Sequence, residues 1–127
     1  MNCFSNSIIL NTFSYAVDSC LQGQTYKRDS AKAWIEAVTE SCMAHLNQHQ
    51  QNKKDEFANA ENTPQDHLVP VVMKYMVHVV LLRKSPSVGF HSATSAIWDP
   101  HTDGMTSITW ENDSMHCLVT VFEVNAI

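Results

Sequence analysis

A valine-rich run over residues 68–82 constrains the fold of this chain more than any other feature. Only Pro70, Lys74 and His78 interrupt it, and it is shorter than the ~20 apolar residues that cross a bilayer. Past Pro70, both polar interruptions fall on the even-numbered face, and the odd-numbered face is apolar. One apolar and one mixed face are typical of a strand with helices on one side of its sheet. We therefore predict a strand here and no membrane insertion.

The first third of the chain has helical periodicity instead. A stripe with a spacing of four residues consists of Ile9, Phe13, Val17 and Leu21. Gly23 follows it and is a suitable C-cap, because glycine adopts the left-handed backbone that ends many helices. A second apolar stripe runs from Trp34 to Leu46, with Asp29 or Ser30 as the predicted N-cap.

The tract over residues 47–66 is polar and long, with Phe57 as its main core-forming side chain. Most connections in compact domains have only ~4–6 residues. We expect a mobile polar insertion at about 47–66, with one more helical turn at its start. A chain of 127 residues with 44% hydrophobic residues suits a single domain, which we place over residues 1–127.

Three further strands are predicted after the valine-rich run, at residues 90–98, 105–110 and 115–124. Short turns rich in Gly, Pro, Asp, Asn or Ser separate them, and such residues favour reversals of the chain. Two helices followed by four strands with short connections indicate an α+β domain with an antiparallel sheet.

Charge and cysteine content exclude other classes. The net charge of −5, with eight Lys and Arg residues in total, disfavours nucleic acid as a partner, since phosphate contacts need clustered cations. The cysteines are widely spaced and include no CxxC pair: Cys3, Cys20, Cys42 and Cys117. With no signal-like N-terminus, we expect a reduced, cytoplasmic setting and thiols that act as small core residues.

Two patterns suggest metal ions, and neither is complete. Residues 99–104 begin like a calcium-binding loop, but Trp110 stands where a bidentate carboxylate is required. His45 and His49 have a spacing that can place two imidazoles on one metal, but no third ligand is evident nearby. Since nucleophile and phosphate-binding motifs are also missing, we predict no catalytic residues, no metal and no cofactor.

The strand at 90–98 has an unusual composition. Ser, Thr and Ala occupy both of its faces, and Phe90 and Trp98 mark its ends. Such a strand is weakly committed to one core face, and an exposed strand can pair with a second copy or with an extended peptide. The alternative is an ordinary interior strand of a single sheet, and the pattern alone leaves both open.

The carboxyl half also carries the spacing WDxxTDGxxxxxWEN over residues 98–112. Earlier elements accompany it: Lys74-Tyr75 in the valine-rich strand, Gly89-Phe90-His91, and Tyr26 eight residues before Trp34. In these features the chain resembles the Tctex-type dynein light chains over residues 13–127.

That resemblance implies a homodimer in which two helices pack on a four-stranded antiparallel sheet and each subunit exchanges one strand. The exchanged strand corresponds here to residues 90–98. The resemblance also implies a non-catalytic role in a dynein motor complex on microtubules in the cytoplasm, or in the axoneme for some members. The partners implied are the dynein intermediate chain, bound as an extended peptide at the dimer interface, and cargo proteins.

From this we assign Phe90, Ser92, Thr94 and Ala96 to the peptide-binding side of the exchanged strand, with Trp98 packing on the sheet. A dynein-independent dimerising hub that binds other peptides in the same groove is the second hypothesis, and a metal-binding or hydrolytic protein is the third. His91 and His116 suggest a pH-sensitive dimer, against the simpler interpretation of solvated strand histidines. The long 47–66 tract and the non-acidic N-terminus depart from the family pattern.

Overall fold

A computed structural model describes residues 6–58, 73–87 and 89–126 of the chain. Its elements, in chain order, are α1 (Asn6–Leu21), α2 (Arg28–Ala58), β1 (Met73–Arg83), β2 (Gly104–Glu111) and β3 (Met115–Asn125). In the part of the chain that is described, neither helix is apolar enough over a sufficient length to span a membrane.

Helix α1 buries the predicted apolar stripe from Phe13 onward. The side chains of Phe13, Val17 and Leu21 are at most 2% exposed. The predicted C-cap is also confirmed, because Gly23 has a φ of +76°, in the left-handed region that side chains disfavour. The chain can therefore turn sharply between the two helices, and the Gln24 amide donates to the Leu21 carbonyl at 3.1 Å.

Helix α2 buries Val38, Cys42 and Leu46 along one line, as the second stripe predicts. Its start differs from the prediction. The helix begins at Arg28, so Asp29 and Ser30 lie in its first turn instead of capping it. A carboxylate in that turn is favourable because the helix dipole is positive there.

The predicted insertion at about 47–66, with one helical turn at its start, differs from the structure, because α2 continues to Ala58. Residues 47–58 of the predicted insertion therefore belong to α2, and residues 59–66 lie outside the described residues. Side chains one turn apart are hydrogen-bonded along this extension, Gln48 to Asn52 at 3.0 Å and Gln51 to Asp55 at 3.2 Å. Such pairs and good helix formers sustain a helix without an apolar stripe.

The sheet has the strand order β1-β3-β2, and both pairings are antiparallel. On β3, Val119 lies between Val79 of β1 and Ile108 of β2. The strands predicted at 105–110 and 115–124 are confirmed to within a residue at each end. The valine-rich strand is confirmed from Met73 onward, and residues 68–72 lie outside the described residues.

The core lies between the helices and one face of the sheet. The partly buried side chains of Tyr75, Val77, Val79 and Leu81 pack against it, so the odd-numbered face of β1 points toward the helices as predicted. Helix α2 packs on β1 and helix α1 on β2. The opposite face, which we call the outer face, carries the even-numbered residues of β1 and β3.

The predicted strand at 90–98 is not a strand within one chain, and the sheet has three strands among the described residues instead of four. Residues 89–97, which we call the exposed segment, are exposed at every position. The physical reason is that a strand exists only with a hydrogen-bonded neighbour, and no described strand of this chain is paired with the segment.

Candidate protein-interaction surface

The exposed segment leaves β1 through a turn that is held at its base. The amide of Lys84 donates to the carbonyl of Ser114 at 2.9 Å, and the Lys84 ammonium lies 3.1 Å from the Glu111 carboxylate. His116 Nδ1 lies 3.2 Å from the same carboxylate oxygen. The lysine holds the pKa of the exposed Glu111 carboxyl below its usual range, by hydrogen bonding first and by charge second.

The other end of the segment is fixed by an aromatic contact. The half-buried Trp98 packs on Phe122 of β3, with ring centroids 6.3 Å apart and planes at 68°, which is the edge-to-face arrangement that aromatic rings favour. The prediction that Trp98 packs on the sheet is confirmed.

The Asp-rich turn after Trp98 uses its carboxylates on its own backbone. Asp99 Oδ1 accepts the His101 amide at 2.9 Å, and Asp103 accepts the amides of Asp99 at 3.2 Å and Asn125 at 2.7 Å. These bonds join the turn to the last residue of β3. The carboxylates thus stabilise a structural turn. This agrees with the sequence, in which Trp110 stands where a calcium-binding loop needs its twelfth-position carboxylate.

The Trp-Glu-Asn part of the motif joins the β2–β3 turn to the helices. The Trp110 indole donates to Asp18 of α1 at 3.2 Å, and Asn112 donates to the Gln24 carbonyl at 2.8 Å. Ser114 Oγ accepts the Tyr26 amide at 2.9 Å. The motif therefore has a structural role, since it fixes the helix layer and both ends of the exposed segment to one sheet.

The outer face of the sheet carries apolar side chains that are exposed to water. Met76, Met105 and Val124 are exposed, and Met76 and Val124 line a groove of about 400 Å³ together with Trp98 and Phe122. Contiguous exposed apolar surface of this kind marks protein-interaction sites. Sequence reasoning missed this groove, although Met76 on the mixed face of the valine-rich strand was a signal for it.

The chain's sequence matches the family model described as the Tctex-1 family over residues 4–124. The chain belongs to the Tctex-1 family. It is 31% identical to a Dynein light chain Tctex-type of Dictyostelium discoideum over 114 residues, which cover 90% of this chain and 85% of that protein. It is 30% identical to Dynein light chain Tctex-type 3 of Mus musculus, with 90% and 80% covered.

A relative from Drosophila melanogaster, also a Dynein light chain Tctex-type, is 27% identical, with 90% of this chain and 84% of the relative covered. The predicted resemblance is therefore confirmed. Proteins of the Tctex-1 family are non-catalytic structural adaptors. Family membership thus supports the prediction that this chain is not an enzyme.

The four residues assigned to the peptide-binding side fall in two places on this Tctex-1 chain. Thr94 and Ala96 line the outer-face groove, whereas Phe90 lines a second pocket beside Leu82 and His116. Ser92 lies exposed between them. Ser95, on the opposite strand face by alternation, also lines the groove, so the choice of face stays a prediction.

Among the described residues, no further ligands lie with the candidate metal residues of the Tctex-1 chain. Both His45 and His49 border a small pocket at the α1–α2 contact, next to Phe13 and Leu46. Residues 6–58, 73–87 and 89–126 contain no group of three or more His, Cys, Asp or Glu side chains that could hold a metal ion.

Two of the thiols are core residues, as the sequence predicts. Cys42 and Cys117 are fully buried, and burial raises the pKa of Cys42 to about 11 and that of Cys117 to about 12. A thiol with a raised pKa is a poor nucleophile at neutral pH. Cys3 lies outside the described residues.

Proposed function

We propose that this Tctex-1 family chain is a non-catalytic light chain of a dynein motor complex, located with microtubule motors in the cytoplasm. Curated relatives that share 90% of its length are named dynein light chains. The non-catalytic nature of the family supports an adaptor role, in which the chain acts by holding other polypeptides.

The light chain acts as a homodimer in which each exposed segment adds to the free edge of β1 in the other copy. The observation that carries this is the exposed segment itself, whose backbone has no strand neighbour among the described residues. Strand β1, eleven residues long, pairs with β3 alone. The exposed segment of one copy and the β1 edge of the other can therefore form backbone hydrogen bonds with each other across a two-fold axis.

The dimer binds the dynein intermediate chain as an extended peptide alongside the exchanged strand. Backbone hydrogen bonds supply affinity with little demand on sequence, and alternate side chains of the peptide enter shallow pockets. The apolar groove beside Thr94 and Ala96 is such a pocket, and Phe90 and Ser92 complete the peptide-binding side. Two equivalent grooves allow paired intermediate chains to bind bivalently, which raises the effective concentration of the second contact.

Sedimentation equilibrium and capture on an immobilised intermediate-chain peptide test the proposal together. We expect twice the 14.3 kDa mass of one chain and retention on the peptide. Thr94→Pro removes a backbone donor in the middle of the segment, and both dimer and capture should be lost. Thr94→Ala keeps that donor, so both should persist. A monomeric wild-type chain, or a proline variant indistinguishable from the alanine variant, contradicts the proposal.

The second candidate, a dynein-independent hub that holds other peptides in the same groove, is favoured by the low sequence demand of backbone pairing. Affinity capture from cell extract separates the two candidates. Co-purification of the intermediate chain supports the motor subunit, and the heavy chain recovered with it identifies a cytoplasmic or an axonemal motor. Capture of other partners without the intermediate chain supports the hub.

A further inference from the structure

The turn between β1 and the exposed segment has the sequence Arg-Lys-Ser-Pro-Ser over residues 83–87. Pro86 keeps Ser85 out of helical conformations, because its ring disfavours the α region for the preceding residue. Ser85 is partly exposed, and both Pro86 and Ser87 are exposed. A kinase that selects serine followed by proline thus finds its dipeptide on an accessible, non-helical turn.

The surroundings of Ser85 suit a phosphate group. Its hydroxyl lies 3.1 Å from that of Ser87, and it shares a pocket of about 480 Å³ with Arg83, Lys84 and His116. Two of the eight Lys and Arg residues of this acidic chain therefore line the same pocket as this hydroxyl. Phosphate oxygens form short, charge-assisted hydrogen bonds with such groups.

From these observations we propose that Ser85 is a phosphorylation site for a proline-directed protein kinase, and that Lys84 and Arg83 hold the phosphate. The Ser85 hydroxyl oxygen attacks the γ-phosphorus of ATP, and the bond from that phosphorus to the bridging oxygen breaks. ADP leaves, and the hydroxyl proton passes to the base of the kinase. The product carries a phosphoserine with a charge of about −1.5 to −2 at pH 7.

The phosphate competes with Glu111 for Lys84. In the unmodified chain the Lys84 ammonium lies 3.1 Å from the Glu111 carboxylate, and this contact also fixes the base of the exposed segment. A phosphate with a charge of about −1.5 to −2 on the next residue attracts the ammonium more strongly than one exposed carboxylate does. Phosphorylation therefore releases Glu111 and rearranges the turn from which the segment departs.

Incubation of the folded full-length chain with ATP and a proline-directed serine kinase tests the site, with the position of the phosphate read by tandem mass spectrometry. We expect phosphate on Ser85, its loss in both Ser85→Ala and Pro86→Ala, and unchanged incorporation in the matched control Ser87→Ala. No incorporation, incorporation on Ser87 instead, or insensitivity to Pro86→Ala overturns the assignment.

An NMR titration of the Glu111 side-chain carboxyl tests how the phosphate is held. We expect the Glu111 pKa to rise on phosphorylation of the wild-type chain, and to rise by less on phosphorylation of Lys84→Ala, where only direct repulsion by the phosphate acts. A Glu111 titration that is the same before and after phosphorylation of the wild-type chain overturns the competition for Lys84.

Discussion

Trp98 and Phe122 pack edge to face with their ring centroids 6.3 Å apart, and this contact fixes the point where the exposed segment rejoins the sheet. The next residue, Asp99, begins the turn that leads into β2. The segment is therefore held at both ends, by Lys84 at its start and by Trp98 at its end, while residues 89–97 between them are exposed.

Replacing Trp98 with alanine should lower the free energy of unfolding by about 2 kcal/mol, because the aromatic contact and part of the buried ring area are lost. Urea denaturation at one fixed protein concentration measures it, since oligomers have concentration-dependent stability. Tyr15→Ala is the matched control, because Tyr15 is 70% exposed and its loss should cost little. Equal losses in the two variants would show that Trp98 does not anchor the segment.

The Asp18 side chain should stabilise the fold because it accepts a hydrogen bond and not because it is charged. Asp18→Ala leaves the Trp110 indole donor without its acceptor and should cost about 1–2 kcal/mol in urea denaturation. Asp18→Asn keeps an acceptor oxygen and should cost less, because a negative charge near the C-terminus of α1 is unfavourable. A larger loss with asparagine than with alanine would contradict this account.

The pKa of Glu111 should depend on Lys84. Because the folded protein holds this pKa below its usual value, the ion pair stabilises the fold above the usual glutamate pKa. That stabilisation disappears as the pH falls through the lowered pKa. Lys84→Ala should raise the Glu111 pKa in an NMR titration, whereas Lys74→Ala, at the other end of β1, should leave it unchanged. If the pKa of Glu111 is the same in Lys84→Ala as in the wild-type chain, Lys84 is not the cause of the lowered value.

Cys42 and Cys117 should resist alkylation in the folded protein. In the folded protein their pKa values are raised to about 11 and 12. The two thiols therefore lose their protons at lower pH in the unfolded chain than in the folded one. The free energy of unfolding should consequently fall as the pH rises above about 9. Iodoacetamide labelling at pH 8, read by peptide mapping, should modify both thiols slowly in buffer and rapidly in urea. Similar rates in the two solvents would contradict their burial.

Local periodicity predicts most of the fold, because it reports which side chains face the core. The stripe from Phe13 to Leu21 and the turn signals that bound β2 and β3 are of this kind. The extension of α2 to Ala58 has no such stripe. Its support is polar pairing one turn apart, as between Gln48 and Asn52, which an apolar pattern does not reveal.

The site depends on long-range contacts that spacing cannot reveal. Trp110 and Asp18 are 92 residues apart in sequence, and Ser114 bonds an amide 88 residues away at Tyr26. The composition of residues 90–98 correctly indicates a segment with little commitment to its own core. Periodicity does not show whether a segment has a hydrogen-bonded neighbour, and the strand predicted there has none among the described strands of the single chain.

The most direct measurement is an isotope-filtered NOE experiment on a mixture of labelled and unlabelled chains. It detects proximity between protons of different copies only. Strand exchange predicts intermolecular backbone contacts between the segment around Thr94 in one copy and strand β1 in the other. A spectrum without intermolecular contacts at β1, from a sample whose mass is that of one 14.3 kDa chain, would contradict strand exchange.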